Sequence, residues 1–277
     1  MNLKDYIVLI RPLNCVMMFL AVLIGSIIES NSIKIYGLIG GCCAFLIGAG
    51  GNVVNDYFDI KIDKINAPHR PLARESISKK SALIYSIILF LSGLILSYFI
   101  NIPCFIIASF NSFLLVMYAK SLKKTELIGN ISIAYLMSSL FIFGGFTVES
   151  TKIVFYLALC AFFAGVGREI AKDVADVEGD KKDGAGTLPI KRGEKFSAKI
   201  AIVSILIAVV ISPLPAILGY LNILYILSVN GANILFILVI FEFYKDPSPK
   251  NAEKIELKLK LAMLLALVAF VLGIITI

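Results

Sequence analysis

Apolar runs long enough to cross a membrane recur along the whole chain of 277 residues. A membrane-spanning helix needs ~20 consecutive apolar residues, and lipid tolerates only helices or closed barrels, because every backbone polar group must be satisfied. Nine runs can be marked, at approximately 13–28, 33–54, 81–100, 102–119, 127–147, 152–170, 197–219, 221–243 and 257–277. The sequence therefore predicts an all-α, multi-pass membrane protein with about nine transmembrane helices.

The overall composition supports lipid as the solvent. Hydrophobic residues make up 59 % of the chain and charged residues 16 %, whereas soluble domains average ~45–50 % and ~25 %. An ordinary soluble domain is therefore excluded. The five cysteines lie in apolar runs without metal-ligand spacing, so we interpret them as packing residues.

Basic residues are distributed unevenly between the two sides of the membrane. The N-terminus and the loops after the even-numbered runs carry 24 of the 26 Lys and Arg, and the other side holds only Lys34 and Lys152. Because basic residues mark the cytoplasmic side, we expect a cytoplasmic N-terminus, cytoplasmic active-site loops and an external C-terminus. The net charge of +7 follows from this asymmetry. It requires no nucleic-acid partner, it favours contact with membrane lipids, and no obligate protein partner is evident.

An internal repeat places two similar polar motifs after the second and sixth runs. Shifting the chain by 117 residues aligns three aspartates of one motif with three of the other, and aligns Asn52 with Glu169. The aligned aspartates are Asp56, Asp59 and Asp63 with Asp173, Asp176 and Asp180. We therefore predict one transmembrane domain, 1–277, with repeat halves at approximately 12–125 and 126–244 and a final helix at 256–277.

Each motif has the spacing of one helix face. At 100° per residue, the side chains of residues 52, 56, 59 and 63 fall within roughly 60° of arc, and the second motif repeats this pattern. A continuous acidic stripe repels itself unless cations neutralise it. Mg²⁺ prefers carboxylate, water and substrate phosphate oxygens. A single stripe would also suit a solvated helix end, but two matching stripes favour Mg²⁺, with ligands Asn52, Asp56, Asp59, Asp63, Asp173, Asp176 and Asp180.

Basic side chains follow both motifs and are suited to binding phosphate. Arg70 and Arg74 lie in a loop that Pro68 and Pro71 prevent from being helical, so we expect this loop to fold back over the metals. Arg and Lys are the usual phosphate-binding residues. Of the other basic residues, Lys123 and Lys172 are favoured because they lie at a span end or within a motif.

The motifs carry a resemblance to a known family. The first reads Asn55-Asp56-x-x-Asp59-x-x-x-Asp63, followed by Asn66 and Arg70-Pro71-Leu72, and the second reads Asp173-x-x-Asp176-x-x-x-Asp180, followed by Thr187-Leu188-Pro189. Tyr118 and Lys123 match a further Tyr/Lys element. At these residues the sequence resembles the UbiA superfamily of intramembrane prenyltransferases, and the likeness covers nearly the whole chain.

The resemblance implies Mg²⁺-dependent transfer of a prenyl group, with the six aspartates catalytic through the metal. The residues assigned to diphosphate or phosphate are Asn52, Asn55, Arg70, Arg74, Tyr118, Lys120, Lys123, Arg168 and Lys172. Within the family, residues 168–180 resemble archaeal members that make ether lipids. Those members join geranylgeranyl diphosphate to a lipid acceptor, geranylgeranylglyceryl phosphate.

Two alternatives remain open from the sequence. An aromatic acid of the 4-hydroxybenzoate type would use the same donor machinery in quinone synthesis. A second phosphate on a glycerophosphate acceptor needs extra cations, which Arg74, Lys120 and Arg168 would supply. A transporter with an acidic cytoplasmic vestibule is the non-enzyme alternative, but the stripes lie at one face, whereas transporter sites usually lie near the midplane.

Overall fold

The computed structural model describes residues 3–182 and 184–275, and these residues form helices without any strand. The helices in chain order are α1 (Leu3–Leu9), α2 (Pro12–Ser30), α3 (Ile35–Asn66), α4 (Lys79–Ile100), α5 (Ile102–Lys120), α6 (Ile128–Phe146), α7 (Val154–Ala175), α8 (Val177–Lys182), α9 (Leu188–Arg192), α10 (Glu194–Ile211), α11 (Leu214–Ile217), α12 (Ile223–Lys245) and α13 (Pro249–Gly273). A short 3₁₀ helix covers Leu122–Lys124.

Eight segments of the described chain are long and apolar enough to cross a membrane, and they coincide with the first eight predicted runs. This confirms the all-α, multi-pass architecture. The ninth run overlaps α13, which carries Glu256, Lys258 and Lys260 within it. Residues 276 and 277 of that run lie outside the described residues. The count of nine spans and the position of the C-terminus therefore stay predictions.

The chain divides into two compact units. One comprises Met1–Leu122 with Ile142–Ser150, and the other comprises Lys123–Phe141 with Thr151–Ile277. The division falls within α6, so the two ends of this helix belong to different units. The predicted single domain with its repeat halves stays a prediction.

Helix α3 is central to the first unit and contacts α2, α4 and α5. Small residues permit these close approaches. A Cβ at Gly50 would lie 3.1 Å from the ring of Phe90, and one at Gly51 would lie 3.0 Å from Leu115. The glycines near the acidic motif are thus explained by helix packing.

The second unit is built around α7, which contacts α10 and α13, while α12 contacts α10 and α13. A continuous apolar core joins these helices, and its fully buried members include Ile170, Val174, Ile205, Val239, Phe243, Ile255 and Leu259. This core fixes the end of α7, where the second acidic motif begins.

Candidate active site

The first acidic motif lies on one uninterrupted helix. Helix α3 has 32 residues and is therefore about 48 Å long at 1.5 Å per residue, against ~30 Å for the hydrocarbon core of a bilayer. Its last turns extend beyond the apolar run, and they carry Asp56, Asp59 and Asp63. The structure confirms that this motif is helical throughout.

Two arginines hold the buried carboxylates of this motif. Asp56, which is 2 % exposed, accepts a hydrogen bond from the Arg11 guanidinium and a longer one from Arg70 Nη1 at 3.4 Å. Arg70 Nη1 also lies 2.8 Å from both carboxylate oxygens of Asp63. A buried carboxylate requires such compensation, because burial without a partner strongly disfavours the charged form. The arginines therefore neutralise the motif in this structure.

Arg70 reaches the carboxylates because its loop is anchored against the helix end. Leu72 and Ile77 of this loop are buried in the apolar cluster that includes Ile60. Burial alone would lower the pKa of Arg70, but the hydrogen bond to Asp63 and the charges of nearby aspartates together raise it. Arg70 therefore stays cationic beside the acidic motif, in the place that its sequence position predicted.

Arg74, which the sequence assigned to phosphate, contacts a carboxylate of the protein in the structure. Its guanidinium pairs with Asp5 of α1, and Asp5 is only 4 % exposed. The loop thus directs one arginine to the acidic motif and the other to the N-terminal helix. A phosphate-binding role for Arg74 stays a prediction, and it would require the pair with Asp5 to open.

The two asparagines of the first motif make contrasting contacts. Asn52 Nδ2 donates to the carbonyl oxygen of Ile10 at 2.8 Å, which fixes the N-terminal segment beside α3. Asn55 Nδ2 donates to Asp59 Oδ2 at 2.9 Å. In this orientation the Asn52 amide uses its nitrogen on the backbone, so its oxygen remains the atom suited to a metal ion.

Three other predicted phosphate-binding residues lie at the end of α5 or just after it. Tyr118 and Lys120 belong to its last turn, and Lys123 belongs to the following 3₁₀ helix. Lys120 is exposed, whereas Tyr118 and Lys123 are partly buried. Their roles stay predictions.

The second acidic motif is interrupted, so the prediction of one continuous helix is wrong here. Helix α7 ends at Ala175, Asp176 is its C-cap residue with φ −91° and ψ 5°, and α8 begins at Val177. Backbone hydrogen bonds still continue across the break, since the Asp180 N–H donates to the Asp176 carbonyl at 3.0 Å. The interruption is therefore confined to one residue, and it separates Asp173 and Asp180 onto different helices.

A neutral side chain, rather than an arginine, holds the first aspartate of this motif. Asn130 Nδ2 donates to Asp173 Oδ2 at 2.7 Å. Asn130 is 5 % exposed, and its Oδ1 atom is buried without a hydrogen-bond partner. A buried acceptor without a hydrogen-bond partner lowers the stability of the folded protein. Asn130 Oδ1 is therefore suited to accept a hydrogen bond from water or to contact a cation.

Arg168 is held by two glutamates. Its Nη1 lies 2.8 Å from Glu169 Oε1, and its Nη2 lies 3.0 Å from Glu256 Oε1 of α13. Glu256 also pairs with Lys260 at 2.9 Å. Lys172, one turn after Arg168, is exposed. The structure thus places Arg168 in a helix-joining ion pair, and its predicted contact with phosphate would compete with that pairing.

The oxygen donors fit Mg²⁺ bound together with a substrate. Within residues 3–182 and 184–275, no cluster of three or more His, Cys, Asp and Glu side chains is arranged to hold a metal ion. Mg²⁺ in phosphate sites commonly takes only one or two carboxylates, with waters and substrate phosphates completing its shell. In the first unit Asp56 and Asp63 supply carboxylate donors of this kind, and in the second unit Asp173 does so beside the Oδ1 atom of Asn130.

Comparison with known proteins decides the family. The model of the UbiA prenyltransferase family matches residues 15–268. The chain belongs to this family. It is therefore a prenyltransferase and a multi-pass membrane protein, and the transporter alternative is set aside.

Similar proteins extend along the whole chain. The digeranylgeranylglyceryl phosphate synthase of Methanococcus aeolicus is 44 % identical over 276 residues, covering 99 % of this chain and 98 % of that protein. The enzyme of the same name from Methanosarcina mazei is 39 % identical, with 99 % of each chain covered. A solved structure described as digeranylgeranylglyceryl phosphate synthase in membranes is 43 % identical, with a TM-score of 0.92 and 98 % of each chain covered.

A more distant structure supports the fold alone. The UbiA homolog of Archaeoglobus fulgidus, solved with GPP and Mg²⁺, has a TM-score of 0.72 and 18 % identity, covering 96 % of this chain and 99 % of that one. The two proteins thus share a fold at low sequence identity.

Sequence reasoning missed three residues that the structure brings to the motifs or to their loop. Arg11 pairs with Asp56, Asn130 donates to Asp173, and Asp5 pairs with Arg74. The sequence contains only a weak signal for these three residues. Arg11 and Asn130 both lie where an apolar run begins, and Arg11 directly precedes Pro12.

Proposed function

We propose that this chain transfers a geranylgeranyl group from geranylgeranyl diphosphate to geranylgeranylglyceryl phosphate, giving digeranylgeranylglyceryl phosphate for membrane ether lipids. The observation that carries this proposal is 44 % identity, over 99 % of this chain, to an enzyme named for that product. Mg²⁺ is the proposed cofactor. The oxygen-rich motifs support it, and so does the Mg²⁺ bound to the Archaeoglobus fulgidus homolog.

The proposed metal ligands are the six aspartates of the two motifs together with Asn52. When bound there, Mg²⁺ would neutralise the charge that develops on the departing diphosphate. Arg11 and Arg70 are poised to assist, because each already contacts Asp56. Lys123, Lys172, Asn55 and Tyr118 complete the proposed diphosphate-binding set.

The bond changes follow from the donor and acceptor. The allylic C–O bond of the donor breaks, and its electron pair leaves with the diphosphate. The acceptor hydroxyl oxygen then forms the ether bond to that carbon and releases its proton to a carboxylate or to the diphosphate. Apolar surroundings favour this outcome by excluding water, which would otherwise capture the reactive carbon.

The acceptor phosphate requires cations of its own. Arg74, Lys120 and Arg168 were assigned to it, and two of these are held by carboxylates in the structure. Lys120, exposed at the end of α5, is therefore the first of the three to test. The distribution of basic residues supports a cytoplasmic location for these groups.

A turnover assay with the purified full chain and labelled geranylgeranyl diphosphate tests the proposal. We expect product with geranylgeranylglyceryl phosphate, and a tenfold to hundredfold weaker interaction with the dephosphorylated acceptor, since charge-assisted hydrogen bonds contribute roughly 1.5–3 kcal/mol each. Lys120→Gln should raise the KM for the acceptor more than the KM for the donor.

Two controls separate the parts of the proposal. Prenylation of 4-hydroxybenzoate alone would overturn the acceptor assignment and leave the donor assignment standing. Full turnover in EDTA would overturn the assignment of Mg²⁺.

A further inference from the structure

A cavity lies in the first unit, away from the acidic motif. It has a volume of about 510 Å³ and opens between the end of α3 and the start of α4. Three lysines line it, namely Lys61, Lys64 and Lys79, and the buried apolar residues Ile60 and Ile77 also contribute. We refer to this cavity as the lysine groove.

The lysine groove lies on a different face of α3 from the acidic motif. At 100° per residue, Lys64 and Lys61 are rotated by about 80° and 140° from Asp56 around the helix axis. The loop after α3 contacts both faces, because Arg70 binds Asp63 on one and Glu75 pairs with Lys64 at 2.6 Å on the other. The groove is therefore separate from the prenyl-transfer site described above.

The groove has an excess of positive charge. Its three lysines face one carboxylate, Glu75, which is paired with Lys64. The pKa of Glu75 is lowered by that lysine. Helix α4 also begins here, with Ser78 as its N-cap residue accepting a hydrogen bond from the Ser81 N–H, so the helix dipole adds partial positive charge. An anion is the ligand that this arrangement favours.

Apolar side chains continue from the groove along the outside of α4. Leu83, Ile84 and Ile87 are 42–48 % exposed and follow Lys79 within about two turns. The groove therefore lies where charged residues give way to a lipid-facing helix surface. A basic pocket at the end of transmembrane helices, with apolar surface beside it, is the arrangement that binds anionic lipid headgroups.

We propose that the lysine groove binds the phosphate headgroup of an anionic membrane phospholipid, whose hydrocarbon chains lie along α4. The lysine ammonium groups donate hydrogen bonds to the phosphate oxygens, and Lys64 exchanges part of its contact with Glu75 for them. This site is additional to the donor and acceptor sites, and it is independent of the acceptor's identity.

The chain contains no tryptophan, so a single introduced indole gives an unambiguous fluorescence signal. Ile65 is 81 % exposed and lies one helical turn after Lys61, which makes Ile65→Trp a reporter beside the groove. Ile35→Trp is the matched control, because Ile35 is 65 % exposed at the other end of the same helix. Each variant is placed in phosphatidylcholine vesicles containing brominated phosphatidylglycerol or brominated phosphatidylcholine.

We expect brominated phosphatidylglycerol to quench the Ile65→Trp reporter more strongly than brominated phosphatidylcholine, with no such preference at Ile35→Trp. Combining Lys61→Gln and Lys79→Gln in the reporter should reduce the preference about fivefold per lysine. The control pair is Lys195→Gln with Lys199→Gln, two exposed lysines at the start of α10. An equal reduction in both pairs would overturn the proposal, since it would mean diffuse surface attraction.

Competition by inorganic phosphate and thermal unfolding in the two lipids test the same proposal independently. Inorganic phosphate in large excess should leave the preference mostly intact, and complete competition would overturn the assignment to a lipid. The unmodified chain should show a higher thermal unfolding temperature as phosphatidylglycerol replaces phosphatidylcholine, and the Lys61/Lys79 pair should reduce that increase. An unchanged increase in this pair would also count against the groove.

Discussion

The two acidic motifs have the same aspartate spacing but neutralise their charge differently. In the first unit, Asp56 contacts two guanidinium groups, from Arg11 and Arg70. In the second unit, Asp173 accepts from the neutral amide of Asn130, while Arg168 is bound by two glutamates. The first motif is therefore compensated by cations within the protein, whereas among the described residues no arginine pairs with Asp173.

The shift of 117 residues that aligns the aspartates can also be applied to their partners. With the shift of 117 residues, Arg11 aligns with Ile128, two positions before Asn130, and Arg70 aligns with Thr187. Thr187 is 3 % exposed, and its Oγ1 is buried without a hydrogen-bond partner. The start of a helix thus supplies a hydrogen-bond donor to each motif: the cation of Arg11 before α2, and the neutral amide of Asn130 in α6. The two motifs thus keep the same aspartate spacing while the side chains around them differ in charge.

The largest expected effect tests whether both motifs are needed. Asp56→Asn and Asp173→Asn should each lower kcat by at least about a hundredfold, the scale seen when one group that stabilises developing charge is removed. Asparagine has nearly the same size as aspartate, so the fold should persist. Glu178→Gln, at an exposed position of α8, is the matched control. Normal turnover in either aspartate variant would show that the halves are not both required.

The next effect distinguishes a structural role for Arg168 from a substrate contact. Arg168→Gln leaves Glu169, which is 7 % exposed, without its cation, and removing one partner of a buried pair costs about 3 kcal/mol or more. Chemical unfolding in detergent should detect this loss. Arg192→Gln is the control, since Arg192 pairs with Glu126 at an exposed site, and it should change stability little. Unchanged stability with a raised acceptor KM would support phosphate binding by Arg168 instead.

The smallest expected effects are changes in stability when one glycine in each unit, Gly144 or Gly231, is replaced by alanine. A Cβ at Gly144 would lie 2.2 Å from the carbonyl oxygen of Val22, which is backbone and cannot move aside, whereas one at Gly231 would meet nothing within 4 Å. We expect Gly144→Ala to cost about 1–3 kcal/mol from overpacking. Gly231→Ala in α12 should stabilise by up to about 1 kcal/mol through helix propensity. Thermal unfolding of both variants measures the difference, and equal values would contradict the close approach at Gly144.

Most of the fold could be predicted because the length of an apolar run is a local property of the sequence. Eight spans coincide with runs read from the sequence alone, and the acidic side chains of α3 follow directly from helical periodicity. The break at Asp176 was not predictable in this way, because the spacing of the second motif satisfies a continuous helix equally well. Only the folded backbone shows that α7 stops there.

The partners of the carboxylates were harder to predict, since they are distant in sequence. Arg11 and Asp56 are separated by 45 positions, and Asn130 and Asp173 by 43. No periodic pattern links residues so far apart. Arg70 was accessible to prediction because two prolines restrict its short loop, whereas the same reasoning missed that Arg74 pairs with Asp5.

The unbroken course of α3 has a consequence for how an amphiphilic substrate is handled. From Asn52 to Asp63 the helix rises about 16 Å at 1.5 Å per residue, while one headgroup layer of a bilayer is only about 5–8 Å thick. The polar side chains of this motif, all on one rigid helix, therefore extend over a greater length than one headgroup layer. A molecule with a charged head and a long apolar tail can therefore keep its head beside polar side chains of a single rigid helix over this distance.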